Sequence, residues 1–347
     1  MKAKRSRIKE EGRGSPERLT QFAFACAPAL IIDAAVTCGI FDALEAGART
    51  VAQVAARTNC SERGVHAVMN ALAGLGLLTK QDSSYSLGSD AFTYLVSTRT
   101  SFFGGYFRYF TQRVIPMWLR LPEAIRTGRP VRDVTQEQTG TEYFREFVPA
   151  LFPANRGAAL ALAKELRVSE TAVPICGLDL AAGSGVWGIS LAQESRHVRV
   201  TAVDWEGVIP VTRQMAARFG VEDRVQFLSG DLLQAGFGRN YSIAILGHIL
   251  HGWSEEDCAA LISKTFHALA DGGTIAIAEW LVNEDRTGPL HSLIFAVELL
   301  VATERGNTFS FQQIKRWLEA AGFENVRLMD APAPSPLILA DKPSSEE

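Results

Sequence analysis

The sequence predicts an α/β domain on an open, largely parallel sheet that closes with a reversed hairpin strand, preceded by a mostly helical module. Three observations carry this. After residue 173, short β-rich runs ("ICGLDLAAG", "VRVTAVDW", "RVQFLSGD", "YSIAILGHI", "GGTIAIAEWLV") alternate with helical patterns ("GVWGISLAQES", "VIPVTRQMAARFG", "EEDCAALISKTFHALA"), as right-handed crossover units do. The first run leads into Gly-Ser-Gly-Val-Trp-Gly at 183–188, a G-x-G-x-x-G turn able to approach a ligand closely. The last two runs, "ENVRLMDA" and "SPLILADK", are joined by a few residues only. That is room for a hairpin and not for a crossover, so one of them runs antiparallel.

The elements before the sheet follow in order. Residues 1–18 form a mixed-charge, Gly/Pro-containing tail, expected to be disordered. Residues 19–100 read as a winged-helix-like unit. Its first segment, "PERLTQFAFACAPALIIDAAVTCGIFDAL", is apolar around most of its circumference, which a subunit interface explains best. The longest apolar run, Phe22–Ile32, ends at Asp33 and is too short to span a membrane. Thr50 and Ser61 are placed to cap two helices, with Glu62 in the first turn of the second. "LLTKQDSSYSLG" then reads as two short strands around a polar turn. Such a unit binds DNA or pairs subunits. A groove-reading helix needs several Arg, Lys, Asn or Gln side chains; Ser61–Gly74 offers Arg63, His66 and Asn70 among small apolar residues, which favours dimerisation. Residues 101–170 form a helical bridge, aromatic-rich in "SFFGGYFRYFTQRVIPMWLRL" and with a long helical pattern interrupted at Pro153. The α/β domain occupies 171–347.

Composition excludes several partners. The 347 residues are 47% hydrophobic and 21% charged, with a net charge of −3, so no nucleic-acid or anionic-membrane partner is indicated. Five scattered cysteines without a C-x-x-C pair suggest reduced thiols in the cytoplasm and no zinc site.

In open α/β sheets, ligands bind beyond the carboxyl ends of the strands. The first strand ends in Ala181-Ala182-Gly183-Ser184-Gly185, and the second at Asp204, 21 residues after Gly183, followed by Trp205. Asp204 is placed to accept two ribose hydroxyls, which NAD and S-adenosylmethionine share. The third strand ends in Asp231-Leu232, an acceptor for an adenine amino group beside an apolar cover, and the fourth at Gly247 in "GHILHGW". Asp179, inside the first strand where a dinucleotide fingerprint carries an apolar residue, favours the methyl donor.

"DLAAGSG" approximates D-x-G-x-G-x-G, with Ala181 in place of the first glycine, a change tolerable if φ is negative there. Together with "HILHGWSEEDCAALISKTFHALADGGTIAIAEWLVNEDR", it resembles the small-molecule O-methyltransferases of class I, such as the caffeate, acetylserotonin and bacterial polyketide enzymes. The resemblance spans roughly residues 20 to 340. It implies a seven-stranded Rossmann-like sheet, S-adenosylmethionine as cofactor, a homodimer through the N-terminal unit, and an aromatic or polyketide-like small molecule as methyl acceptor. It also implies cofactor contacts from Asp179, Ala181, Gly183, Gly185, Asp204, Trp205, Asp231, Leu232 and Gly247. His251 matches the family's catalytic histidine and Glu279 the carboxylate that orients it. The family's second acid falls on about Thr308, with Glu304 out of register.

A phenol ionises near pKa 10, so a positioned base aids its attack on a sulfonium methyl. His251 suits that role, while His248 reads as a loop histidine satisfied by backbone groups, or at most near the cofactor. Phe147 and Leu151 in the bridge, and Phe295, Leu299 and Thr303 at a spacing of four, are expected to line the acceptor pocket. His291 and Glu298 share a helical face there without an assigned role. The alternatives are C- or N-methylation or a non-methylating use of the sulfonium on the same fold, and, from another class, a DNA-binding regulator.

Overall fold

The computed structural model describes residues 16–332 and 335–344. The expected disorder of the N-terminal tail lies, for residues 1–15, outside them. The chain divides into two compact units, one through Arg99 and one from Thr100 onward.

The first unit holds α1 (Pro16–Ala23), α2 (Ala27–Thr37), α3 (Ile40–Glu45), α4 (Val51–Thr58), α5 (Glu62–Gly74), β1 (Leu78–Gln81), β2 (Ser84–Leu87) and α6 (Ser89–Tyr94). Thr50 caps α4 in a reciprocal box with Gln53, and the Ser61 hydroxyl accepts the Gly64 N–H at the start of α5. The β1–β2 hairpin is antiparallel, Leu78 opposite Leu87. Asn70, a side chain a DNA-reading helix would expose, is used internally: its Oδ1 accepts from Lys80 Nζ at 2.8 Å and Tyr85 Oη at 2.7 Å, which fastens α5 to the hairpin. Leu19–Thr37, which covers most of α1, the turn after it and α2, is long and apolar enough to cross a membrane by length and composition alone, and 6% of its most apolar stretch is buried in the single chain.

The second unit opens with α7 (Gly104–Tyr109), a π-helical turn at Phe110–Val114, α8 (Ile115–Trp118), α9 (Leu121–Thr127) and α10 (Glu137–Glu165). The expected interruption at Pro153 does not occur. α10 runs through both Pro149 and Pro153, its inner face buried at Val148, Ala150, Phe152, Asn155, Ala158, Ala159 and Leu162. That packing outweighs the two missing N–H donors.

The sheet domain follows as β3 (Ile175–Leu180), α11 (Val186–Glu194), β4 (Val198–Asp204), α12 (Ile209–Arg218), β5 (Val225–Ser229), β6 (Tyr241–Gly247), α13 (Glu255–Ala268), β7 (Leu269–Ala278), α14 (Leu290–Ala302), α15 (Phe311–Ala321), β8 (Glu324–Met329) and β9 (Leu337–Asp341). The order is β5-β4-β3-β6-β7-β9-β8. Strands β3 to β7 are parallel, and β9 runs antiparallel between β7 and β8. Composition explains the insertion: Leu337 to Ala340 are fully apolar and buried, whereas β8 mixes Glu324, Asn325 and Arg327 and suits an edge. One face of the sheet packs against α10, α11 and α12 through Leu162, Leu191 and Met215, the other against α13 and α15 through Leu261, Ile262 and Ile314. Strand order reverses between β3 and β6, the switch point at which such sheets bind ligands.

Candidate active site

α10 lies across the carboxyl ends of three strands. Gly140 passes against the Trp205 indole after β4, with no space for a Cβ. Val148 Cγ1 stands 3.3 Å from where a Cβ on Gly183 would be. Asn155 Oδ1 meets His248 Nε2 at 3.2 Å after β6. The spacings of eight and seven residues keep all three on one helical face.

Beneath the helix, the β3 turn is held from both sides. Asp204 Oδ2 accepts the Gly183 N–H at 2.8 Å, and its Oδ1 accepts the Trp205 N–H at 2.7 Å. Burial pushes the Asp204 carboxyl up to about 6 despite these two bonds. It is half-buried, and each oxygen retains a lone pair for a ligand hydroxyl. Asp179 is enclosed, 1% exposed, with Oδ2 accepting the Gly188 N–H at 2.9 Å and Oδ1 unpartnered. Burial raises it to about 7. Its placement makes it a brace for the first turn of α11. Gly183 and Gly185 have φ of +55° and +71°.

Ala181 departs from expectation. Its φ is +53°, so the alanine occupies the left-handed region rather than the negative φ that would have made it harmless. Such a residue is strained by roughly 1–2 kcal/mol. Ala181→Gly is expected to stabilise the protein by about 0.5–1 kcal/mol once the added freedom of the unfolded chain is subtracted, read as a raised denaturation midpoint in urea.

Asp231 Oδ1 accepts the Leu233 and Gln234 N–H groups at 2.9 and 3.2 Å, which leaves Oδ2 for a ligand. Leu232 is 5% exposed and packs into the core under the sheet. A Cβ at Gly247 would run into the Trp187 indole, so this glycine makes room for the tryptophan of the turn.

At the end of β6 a 3₁₀ turn, Leu250–Gly252, presents His251. Its Nδ1 lies 2.8 Å from Glu279 Oε2, and its backbone N–H donates to Oε1 at 3.2 Å. Glu279, 3% exposed, follows β7. Burial alone would raise its carboxyl, but His251 and, further off, His248 bring it below the usual range. The ionised carboxylate can only accept, so Nδ1 carries the hydrogen and Nε2 presents a lone pair. His248 differs: burial pushes it down to about 4, so it stays neutral; its Nε2 meets the Asn155 side chain rather than a backbone group, and its Nδ1 has no partner among the described residues. The flank of the family's second acid holds Thr308, 1% exposed with an unpartnered hydroxyl, while Glu304 is exposed.

Of the expected pocket residues, Phe295 stands edge-on to His251 at 4.8 Å between ring centroids, and Phe147 stacks on Tyr109 at 4.3 Å. Leu151 is half-buried on α10, its carbonyl accepting from Asn155 Nδ2 at 3.4 Å. Leu299 is 4% exposed, and the Thr303 hydroxyl is used at the end of α14, donating to Leu299 O at 2.7 Å and accepting from the Gly306 N–H at 3.0 Å. Val148, Asn155, Trp187, Tyr109, Tyr143 and Glu298 also surround the region. Helical periodicity marks them only as inward-facing.

This fold and this site define a class I methyltransferase. Two family models match in succession, the O-methyltransferase dimerisation domain over residues 21–97 and the O-methyltransferase domain over residues 160–324. The chain is 28% identical to 3-hydroxy-5-methyl-1-naphthoate 3-O-methyltransferase of Streptomyces sahachiroi, over 92% of each chain. It is also 28% identical to the tetracenomycin polyketide synthesis 8-O-methyl transferase TcmO of Streptomyces glaucescens, over 96% of this chain and 97% of that one. It shares the fold of human N-acetylserotonin methyltransferase, solved in complex with S-adenosylmethionine, with a TM-score of 0.79 at 24% identity, covering 97% of this chain and 100% of that one. The chain belongs to the O-methyltransferase family, and its first unit is that family's dimerisation domain. Leu19, Phe22, Phe24 and Leu30 are 45–73% exposed in the single chain, an apolar face of the kind that subunit pairing covers. Phe24→Asp is expected to convert a dimer into monomer at micromolar concentration, read by light scattering.

Proposed function

We propose that this chain transfers the methyl group of S-adenosylmethionine to a hydroxyl of an aromatic small molecule, with His251 as the general base. The observation that carries the reading is the His251 Nδ1 to Glu279 Oε2 pair at 2.8 Å, one imidazole nitrogen fixed and the other presented beside Phe295. The residues of the cleft fit the cofactor. Asp204 offers two half-open carboxylate oxygens to a ribose, Asp231 one to a base, and the Gly183–Gly185 turn carries no Cβ at its two left-handed glycines. When bound, S-adenosylmethionine supplies a methyl on a sulfonium sulfur, so that an O–C bond forms as the C–S bond breaks and adenosylhomocysteine leaves. His251 Nε2 takes the hydroxyl proton, and Glu279 stabilises the resulting imidazolium. Phe147, Phe295 and the tyrosines of α7 and α10 suit a flat acceptor, as does the naphthoate named for the Streptomyces sahachiroi relative. The enzyme works as a homodimer in the cytoplasm, where its five unpaired cysteines stay reduced.

The test supplies methyl-labelled cofactor with naphthol and with naphthylamine. Label in the naphthyl methyl ether supports the reading. No transfer to any phenol by protein that binds adenosylhomocysteine overturns it.

A further inference from the structure

Glu298 has no part in the pair that holds His251; it lies on α14, whose Leu300, Val301 and Ala302 pack in one cluster with Tyr109, Tyr143 and Phe147. It lies one helical turn from Phe295 on α14, and its carboxyl interacts electrostatically with His251 and with Tyr106, Tyr109 and Tyr143. Those tyrosines and Phe147 form a continuous aromatic wall: Tyr109 to Tyr143 is 5.0 Å between ring centroids, Tyr109 to Phe147 4.3 Å, and Tyr106 to Phe147 5.9 Å. The helix is anchored just beyond, where the Val301 and Ala302 carbonyls accept the Val131 and Val134 N–H groups, both at 2.9 Å.

One polar group in this chamber lacks a hydrogen-bond partner. Glu298 makes no hydrogen bond among the described residues, and burial pushes its carboxyl up to about 7. Tyr109 is 5% exposed, and its hydroxyl interacts with that of Tyr143 without a hydrogen bond of good geometry. The nearby cations are engaged elsewhere, Arg113 with Glu146 at 3.0 Å and Arg132 with Glu142 at 2.5 Å. Glu298 is half-buried; once a bound acceptor excludes water from it, a carboxyl left without a donor is costly, and a ligand that supplies the donor gains that energy as selectivity.

We propose that Glu298 is a specificity-determining residue of the acceptor pocket, taking a second O–H or N–H donor that the aromatic acceptor carries away from the hydroxyl methylated at His251. This rests on the acceptor-pocket reading above, and the chemical class it selects is the dihydroxylated or amino-hydroxylated aromatic over the mono-phenol.

The experiment compares kcat/KM for naphthol and for the isomeric dihydroxynaphthalenes in wild type, Glu298→Leu and Glu298→Gln. Thermal unfolding and adenosylhomocysteine binding serve as checks on folding. Wild type is expected to favour at least one dihydroxy isomer by about tenfold or more, the scale of a hydrogen bond to a charged group. Glu298→Leu should bring that ratio to near one, while Glu298→Gln, which keeps a carbonyl acceptor, retains part of it. Absence of a preference in wild type, or a preference undiminished in folded Glu298→Leu, overturns the assignment while methylation itself stands. Methylation of no phenol by wild type overturns the functional reading and this assignment with it.

Discussion

His251→Ala is expected to lower kcat by roughly 10²–10⁴-fold, the usual worth of a positioned base, while leaving the Kd for adenosylhomocysteine within about twofold. The split follows from the geometry. His251 projects from the turn after β6, and its side chain is held by Glu279; the carboxylates proposed for the cofactor stand at the ends of β4 and β5. Glu279→Gln should cost about tenfold or more in kcat. A neutral amide can still accept the Nδ1 hydrogen but gives no counter-charge to the imidazolium. Single-turnover kinetics on enzyme pre-loaded with labelled cofactor separates chemistry from release. Undiminished turnover in His251→Ala would reduce the histidine to a structural part of the loop, leaving Glu279 a buried carboxylate with no catalytic partner.

Asp204→Ala is expected to weaken adenosylhomocysteine binding by about 100-fold, since two hydrogen bonds to a charged acceptor are lost. Calorimetry measures it directly, and a Kd within threefold of wild type would remove Asp204 from the cofactor site. The variant should also lose thermal stability, because the same carboxylate accepts the Gly183 and Trp205 N–H groups; Asp204→Asn keeps one acceptor and should fall between. The raised pKa of about 6 gives a pH signature. The free protein's Asp204 takes up a proton as pH falls through about 6 and loses acceptor capacity, so cofactor affinity is expected to decline on that side. The sign for folding is opposite. An acid raised on folding disfavours the native state as pH rises from its unfolded value near 3.9 through about 6, so Asp204 contributes least to folding stability at neutral pH, where it binds best.

Much of this was legible in the chain. Alternating β-rich and helical runs identified the parallel sheet, because a strand buried on both faces must be apolar throughout and a crossover must be helical. The short connection between "ENVRLMDA" and "SPLILADK" required a reversed strand, and the caps at Thr50 and Ser61 are local hydrogen bonds that sequence specifies directly. The family resemblance paired His251 with Glu279, and the pairing accords with both following strand ends, which converge on one edge of a parallel sheet.

What the sequence by itself determined was therefore whatever depends on near neighbours and on period: element types, caps, the reversed hairpin, and the set of strand ends that gather at the switch point. Tertiary structure decided the rest. The left-handed φ of Ala181 arises because the turn is clamped between Asp204 and α11, and the continuity of α10 through Pro149 and Pro153 arises because its inner face is buried. Tertiary structure also packed the α14 segment that carries Glu298 against the tyrosines of α7 and α10. The side chains of Tyr109, Tyr143 and Glu298 lie up to 189 residues apart. No period links such positions; only the packing of α7, α10 and α14 into one chamber makes an acid on α14 a neighbour of those hydroxyls.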